Sequence, residues 1–154
     1  MENRERRLKI LQTDRKLKDF AGLKNVERPS KGWINAIRTT LNMSLSQLGR
    51  RLKKTPATVA EIEEREMNNS ITLKKLIEVG EALDLQLVYG FVPKESSLEK
   101  MIEKRAESKA HEIVMRTSHT MKLEEQENSK ERIQQAIKER REALKRELPK
   151  YLWD

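Results

Sequence analysis

Cysteine is absent from this chain of 154 residues, which excludes disulfides, thiol nucleophiles and cysteine-type zinc sites. Aromatic residues are scarce, at 4%, so any core must be aliphatic and modest. Glycine is rare as well, with five residues, while Leu, Glu, Lys, Arg and Ala dominate. That balance favours helices. No window holds about 18 consecutive apolar residues, the length a membrane-spanning helix needs. The chain is charged from Glu2 onward and opens without an apolar stretch, so a secretory signal is not expected. A bacterial-type cytoplasm is the expected location. Histidine is nearly missing too: His111 and His119 are the only two, and neither sits in a metal-type spacing such as His-Glu-x-x-His. There is no glycine-rich phosphate loop, and the carboxylates are dispersed among lysines as solvated helix faces. Neither enzymatic activity, a metal nor a cofactor is expected.

Charge, by contrast, is plentiful, at 38% of residues with a net +8. It is unevenly placed. Residues 1–31 hold ten Lys/Arg against five Asp/Glu, residues 32–92 eight against seven, and residues 93–154 fifteen against thirteen. The excess therefore lies in the N-terminal part. A basic surplus favours nucleic acid through counterion release, and a solvated helix surface is the plainer reading of the balanced C-terminal part.

The most informative stretch runs from Leu41 to Leu83. Ser44 can cap a helix, and Gln47, three residues on, can reach back to complete a capping box. Leu45, Leu48 and Leu52 follow at helical spacing. After Lys53-Lys54, Thr55 is a good cap, and Pro56 suits a first helical position, where no amide donor is needed. Val59 and Ile62 supply the inward face of this second helix. The pattern predicts a helix-turn-helix and resembles the phage-repressor-like proteins, in which the second helix enters the major groove of DNA. An ordinary helical hairpin is the bland alternative. The candidate DNA contacts are Lys31, Arg38, Arg50, Arg51, Lys53, Lys54, Thr55, Ala57, Thr58 and Glu61. Arg50, Arg51, Lys53 and Lys54 suit phosphates, with Lys31, Arg38 and the basic N-terminal arm adding to them. Ala57 and Thr58 suit a thymine methyl, and Glu61 a cytosine amino group. Strong base readers are missing from this helix, and Glu61, Glu63, Glu64 and Glu66 form an acidic run. Glu63 is assigned to structure; the others would repel a phosphate backbone they faced. Modest intrinsic affinity, strengthened by dimerisation or a partner, is expected.

Around that unit the periodicity predicts further elements. Residues 3–20 read as a helix with Leu8, Leu11, Leu17 and Phe20 as its apolar stripe, broken from Gly22 to Pro29. Trp33, Ile34, Ile37 and Leu41 read as an inward face, with Trp33 a core anchor rather than a ligand-stacking residue. Thr72 caps a helix whose Leu73, Leu76, Ile77, Val79 and Leu83 pack back onto the module. Leu85, Leu87, Val88, Tyr89 and Phe91, bounded by Pro93, read as one short β-strand. A lone strand is unstable in water, so pairing with its copy in a two-fold homodimer is the economical expectation. A buried helix tail, or pairing near Val26, competes with it. A dimer would let two modules read half-sites about 34 Å apart.

From Lys94 the chain is amphipathic and helical, with Leu98, Met101, Ile102, Ala106, Ala110, Ile113 and Val114 recurring. Thr117–Thr120 reads as irregular, and Asn128-Ser129 restarts a helix that Pro149 ends. The terminal Leu152-Trp153 pair suggests docking, either on a partner or on the chain's own helices. The reading is thus mainly α: a phage-repressor-like helix-turn-helix domain with one short dimerising β-strand and a C-terminal helical extension. Its parts are a basic N-terminal helix and loop (1–31), the DNA-binding domain (32–84), the strand (85–93) and a partner-binding extension (94–154).

Taken together, Arg28-Pro29-Ser30-Lys31-Gly32-Trp33-Ile34, the helix-turn-helix, Leu87-Val88-Tyr89 with Val92-Pro93, Ser118-His119-Thr120-Met121 and Leu152-Trp153-Asp154 resemble the mobile mystery protein A family over nearly the full length. That family is encoded beside a Fic-domain partner, mobile mystery protein B. The resemblance implies an antitoxin that restrains a Fic toxin, an enzyme class transferring a nucleotide monophosphate to protein hydroxyls. It also implies binding of double-stranded operator DNA to repress its own operon. Fic inhibitors typically carry Ser/Thr-x-x-x-Glu followed by Gly or Asn. Thr120 to Glu124 and Ser108 to Glu112 match the first part, and neither has the following Gly or Asn. Thr120 and Glu124 are preferred because they fall in the family-like stretch; steric blocking by the C-terminal helices is the alternative. Two other readings stand beside the antitoxin. One is a stand-alone transcriptional regulator, and the other a pure protein-binding inhibitor that has lost DNA binding.

Overall fold

The computed structural model describes residues 2–121 and 129–154. It is mainly helical and divides into two compact units. Asn25–Tyr89 forms a middle unit, while the segment up to Lys24 joins with that from Gly90 onward to form a terminal unit.

The middle unit holds α2 (Trp33–Thr40), α3 (Leu45–Leu52), α4 (Pro56–Met67) and α5 (Leu73–Ala82). One cluster closes it: Ile34, Leu48, Leu52, Val59, Ile62, Val79 and Leu83, with Ile37, Met43 and Leu76 half-buried beside them. Its apolar faces are narrower than the sequence suggests. Trp33 is 45% exposed because Ile34, the next residue and about 100° around the helix, takes the inward position. Leu73 and Ile77 are exposed for the same geometric reason, outside the arc occupied by Leu76 and Val79, and Leu41 is exposed because it lies past the end of α2 as its C-cap.

The terminal unit holds α1 (Glu2–Lys18), α6 (Leu98–Met121) and α7 (Ser129–Glu147), with 3-10 turns at Ala21–Asn25 and Lys150–Trp153. Ile102, Ala106 and Ala110 recur every four residues along α6 and pack with Leu144 and Leu152, with Ile10, Ile113, Ile137 and Leu148 half-buried around them. The two alanines are fully covered; their small side chains let α7 approach α6 closely. The N-terminal helix is therefore no free arm. Asp14 on α1 accepts hydrogen bonds from the backbone amides of Leu98 (2.7 Å) and Glu99 (3.2 Å), capping α6 from 84 residues away. Ile10 turns towards the core, and Leu8 and Leu11, expected to be inward, remain exposed. At the other end Leu152 is fully buried while Trp153 is 51% exposed. Arg105 Nε donates to the Leu152 carbonyl at 2.6 Å. The apolar terminal pair thus splits, and its leucine docks on the chain's own helices.

Two further expectations change. Thr117 to Met121 continues α6 instead of breaking it; the Thr117 hydroxyl folds back onto the Ile113 carbonyl at 3.2 Å, which lets a β-branched residue sit in the helix. Leu85 to Val92 forms no strand, and no strand occurs among the described residues. A ladder needs a second strand, and the described chain offers none. No helix among the described residues is long and apolar enough to cross a membrane.

Candidate nucleic-acid interface

The interface candidate is built on α3, α4 and the turn between them. Ser44 starts α3: its Oγ accepts from the Gln47 amide at 3.1 Å, and Gln47 Oε1 accepts from the Ser44 amide at 2.8 Å. This is the expected capping box. The helix ends where Lys53 enters the left-handed region, at φ 55 and ψ 42. There the Lys54 amide donates to the Gly49 carbonyl at 2.8 Å and the Lys53 amide to Arg50 at 3.3 Å, a Schellman-type closure. Gly49 makes the turn possible, since a Cβ at that position would lie 2.6 Å from the Lys54 carbonyl oxygen. Thr55 then caps α4, accepting from the Thr58 amide at 3.1 Å, with Pro56 at the first helical position.

What the second helix buries decides what it can offer. Val59, Ile62, Glu63 and Glu66 are its inward residues, at helical spacing i, i+3, i+4 and i+7. Glu63 pairs with Arg38 and accepts from Asn35 Nδ2 at 2.8 Å. Arg38 also donates to the Met43 carbonyl at 2.8 Å. The hydrogen bond to Glu63 holds the Arg38 guanidinium above its ordinary range, against the opposing effect of burial. Arg38 was expected among the DNA contacts; it is a half-buried tie between α2 and α4, with 12% of its side chain exposed.

Glu66, which the sequence left unassigned within the acidic run, has a structural role. Its carboxylate accepts from the backbone amides of Trp33 (2.7 Å) and Ile34 (2.9 Å), capping the start of α2. Gly32 is required beside it, at φ 86, where a Cβ would lie 2.9 Å from the Glu66 carboxyl carbon. Arg28 completes the joint, donating to the carbonyls of Glu66 (3.2 Å) and Met67 (3.1 Å) and pairing with Asn69. The signal was present: Glu66 lies four residues after Ile62 and seven after Val59, on the same inward face.

The remaining candidates are open. Arg50, Lys53, Lys54, Thr55, Ala57, Glu61 and the more distant Lys31 are exposed, and Thr58 is half-buried. Arg51 is partly committed, donating to the Ala82 carbonyl at 3.0 Å and lying 3.5 Å from Asp84. On the outer side of α4, Glu61 is 4.0 Å from Arg65, both well exposed, an ion pair that solvent largely screens. Glu64 also faces out. The cationic groups are therefore at the end of α3 and in the turn, while the outer face of α4 is small at its start and acidic further on. A shallow recess of about 430 Å³ beside Arg50 and Arg51 is edged by Asn42 and Gln47. Such donors and cations can hold a phosphate, which positions a protein without reading sequence.

Thr120 falls near the end of α6, and Glu124 lies outside the described residues. Among the described residues no cluster of three or more His, Asp or Glu could hold a metal ion. No family model, curated protein or solved structure matches the chain.

Proposed function

We propose that this protein is the antitoxin of a two-gene pair, binding operator DNA through α3 and α4 and restraining a Fic-domain partner through its terminal unit. The observation that carries the DNA half is the paired-helix arrangement itself. Two short capped helices meet at a turn closed by Gly49 and Lys53, with Arg50, Lys53, Lys54, Pro56 and Ala57 uncovered. That arrangement supports a helix-turn-helix, in which the second helix enters the groove and flanking cations meet phosphates. Arg38 has no part in it. The small, partly acidic face of α4 favours modest affinity resting on phosphate contacts. Double-stranded DNA upstream of the gene should shift in a gel with steep salt dependence. Replacing Arg50 and Lys54 with Ala should weaken binding to all sequences and flatten that dependence. An unchanged salt slope would remove these two residues from the interface.

Dimerisation through the segment after α5 belongs to the same reading. Leu85, Val88 and Tyr89 are uncovered, and Phe91 is 81% exposed, which supports an absent strand partner supplied by a second copy. The restraint of a Fic partner rests on the family resemblance, and co-expression tests it: the neighbouring gene product should arrest growth alone and not with this chain. Action in the cytoplasm, on the nucleoid, follows from the same proposal. One observation favours the stand-alone regulator. Leu152 is absorbed in its own unit, so the C-terminal pair is not wholly free to dock elsewhere. A harmless neighbour would decide for that reading.

A further inference from the structure

Leu8 and Leu11 lie one helical turn apart on α1, and neither is covered: they are 55% and 41% exposed. A groove of about 510 Å³ opens beside Leu11, with Ile10, Ile102 and Leu148 also among its lining. Arg4 and Arg7 from α1 and Lys145 and Arg146 from α7 line it too, against the carboxylates Glu99 and Glu142. Glu142 is already engaged, 3.2 Å from Arg141 and 3.8 Å from Lys145. Arg4 and Arg7 have no ion pair or side-chain hydrogen bond among the described residues. Single exposed leucines or solvated arginines are ordinary. An uncovered leucine at the edge of a partly apolar groove that also carries two unpaired arginines, Arg4 and Arg7, is the combination that marks an interaction surface.

We propose that this groove receives an acidic, amphipathic helical segment of a protein partner. Apolar side chains at i, i+3/i+4 and i+7 would settle on Ile10, Leu11 and Leu148, the usual register of helix-in-groove docking. Carboxylates flanking them would meet Arg4 and Arg7. Two-fold self-docking would bring together two copies of a face lined by four basic side chains, Arg4, Arg7, Lys145 and Arg146, and only two acidic ones, Glu99 and Glu142, and such a like-charged contact is costly. The proposal deepens the reading of the terminal unit as the partner-binding part and rests on it.

The full-length chain can be titrated into a fluorescent peptide of about 14 residues, with Leu at helical anchor spacing and Glu elsewhere. Binding is expected, weakening as salt rises. The double variant R4E/R7E should bind at least about tenfold more weakly, with its helical circular dichroism retained, since neither side chain holds the fold. A control, K138E/R140E, alters α7 outside the groove lining and should bind as the wild type does. Equal binding by R4E/R7E would overturn the proposal, as would equal binding of a matched peptide carrying Lys for Glu. Displacement of the peptide by dodecanoate at stoichiometric levels would also overturn it, in favour of a small amphiphilic anion. In cells, R4E/R7E should lose neutralisation of the co-expressed neighbour, and full neutralisation would count against the groove. A neighbour harmless by itself would instead remove the antitoxin reading and leave the peptide titration to decide the groove.

Discussion

The two units hold their helices by different means. In the middle unit the helices are short, from 8 to 12 residues, and each start is capped by a side chain: Glu66 for α2, Ser44 for α3, Thr55 for α4 and Thr72 for α5. In the terminal unit α6 and α7 run for 24 and 19 residues. Buried alanines and aliphatic residues join them, with bridging pairs such as Arg141 to Glu107 at 2.8 Å. A short helix has few internal hydrogen bonds to offset nucleation, so the chemistry of its ends weighs heavily. A long helix spreads that cost and depends on the side chains along its packed face.

The largest effect should come from that packed face. Leu144→Ala removes a fully buried side chain and should destabilise the terminal unit by about 4 kcal/mol, read by denaturant unfolding through Trp153 in a Trp33→Phe background. Next comes the buried pair of the middle unit. Glu63→Ala leaves Arg38 without its carboxylate and should cost about 3 kcal/mol, read through Trp33 with Trp153 replaced by Phe. If that loss were under about 1 kcal/mol, the level of an exposed pair, the contrast between the units would blur. Ser44→Ala tests the caps and should cost about 1 kcal/mol, whereas the same change at an uncapped surface position should cost little.

The smallest effect is electrostatic. The Glu103 carboxyl is held below the ordinary glutamate range, first by its hydrogen bond from Lys100, then by the charges of Lys100 and Lys145. Such a group contributes stability at neutral pH that is lost as pH falls through its lowered folded value. Lys145 lies 3.8 Å away on α7, so acid strong enough to protonate a carboxyl held below the ordinary glutamate range should loosen the contact between α6 and α7. Glu103→Gln should flatten this part of the pH profile, and added salt should shrink it. In the middle unit Glu78 is lowered in the same way by Lys75, three residues away on α5. Acid there should weaken a helix rather than a junction.

The same contrast explains what could be read in advance. The capping box at Ser44 and Gln47, the caps at Thr55 and Thr72 and the proline that ends α7 are local signals, carried by residues a few positions apart. Asp14 capping α6 and Arg105 holding the Leu152 carbonyl join residues 84 and 47 positions apart, and no local pattern announces either. The turn between α3 and α4 and the exposure of Arg50, Lys53 and Lys54 around it were legible in the same local way. Arg38 was set among the DNA contacts because charge was read as exposure, and Glu66 was left unassigned although it falls on the same periodic face as Val59, Ile62 and Glu63. Leu8 and Leu11 were misplaced for the opposite reason: helical spacing identifies a stripe without saying what covers it.

Glu66 has one more consequence. The first amides of a helix lack an intrahelical acceptor and normally exchange with deuterated solvent fastest. Here the Trp33 and Ile34 amides are held by a carboxylate anchored in the last turn of another helix. Their exchange must wait for that turn to release them. These two protons form a natural clock on how often the end of α4 opens, ticking where the beginning of α2 can be watched.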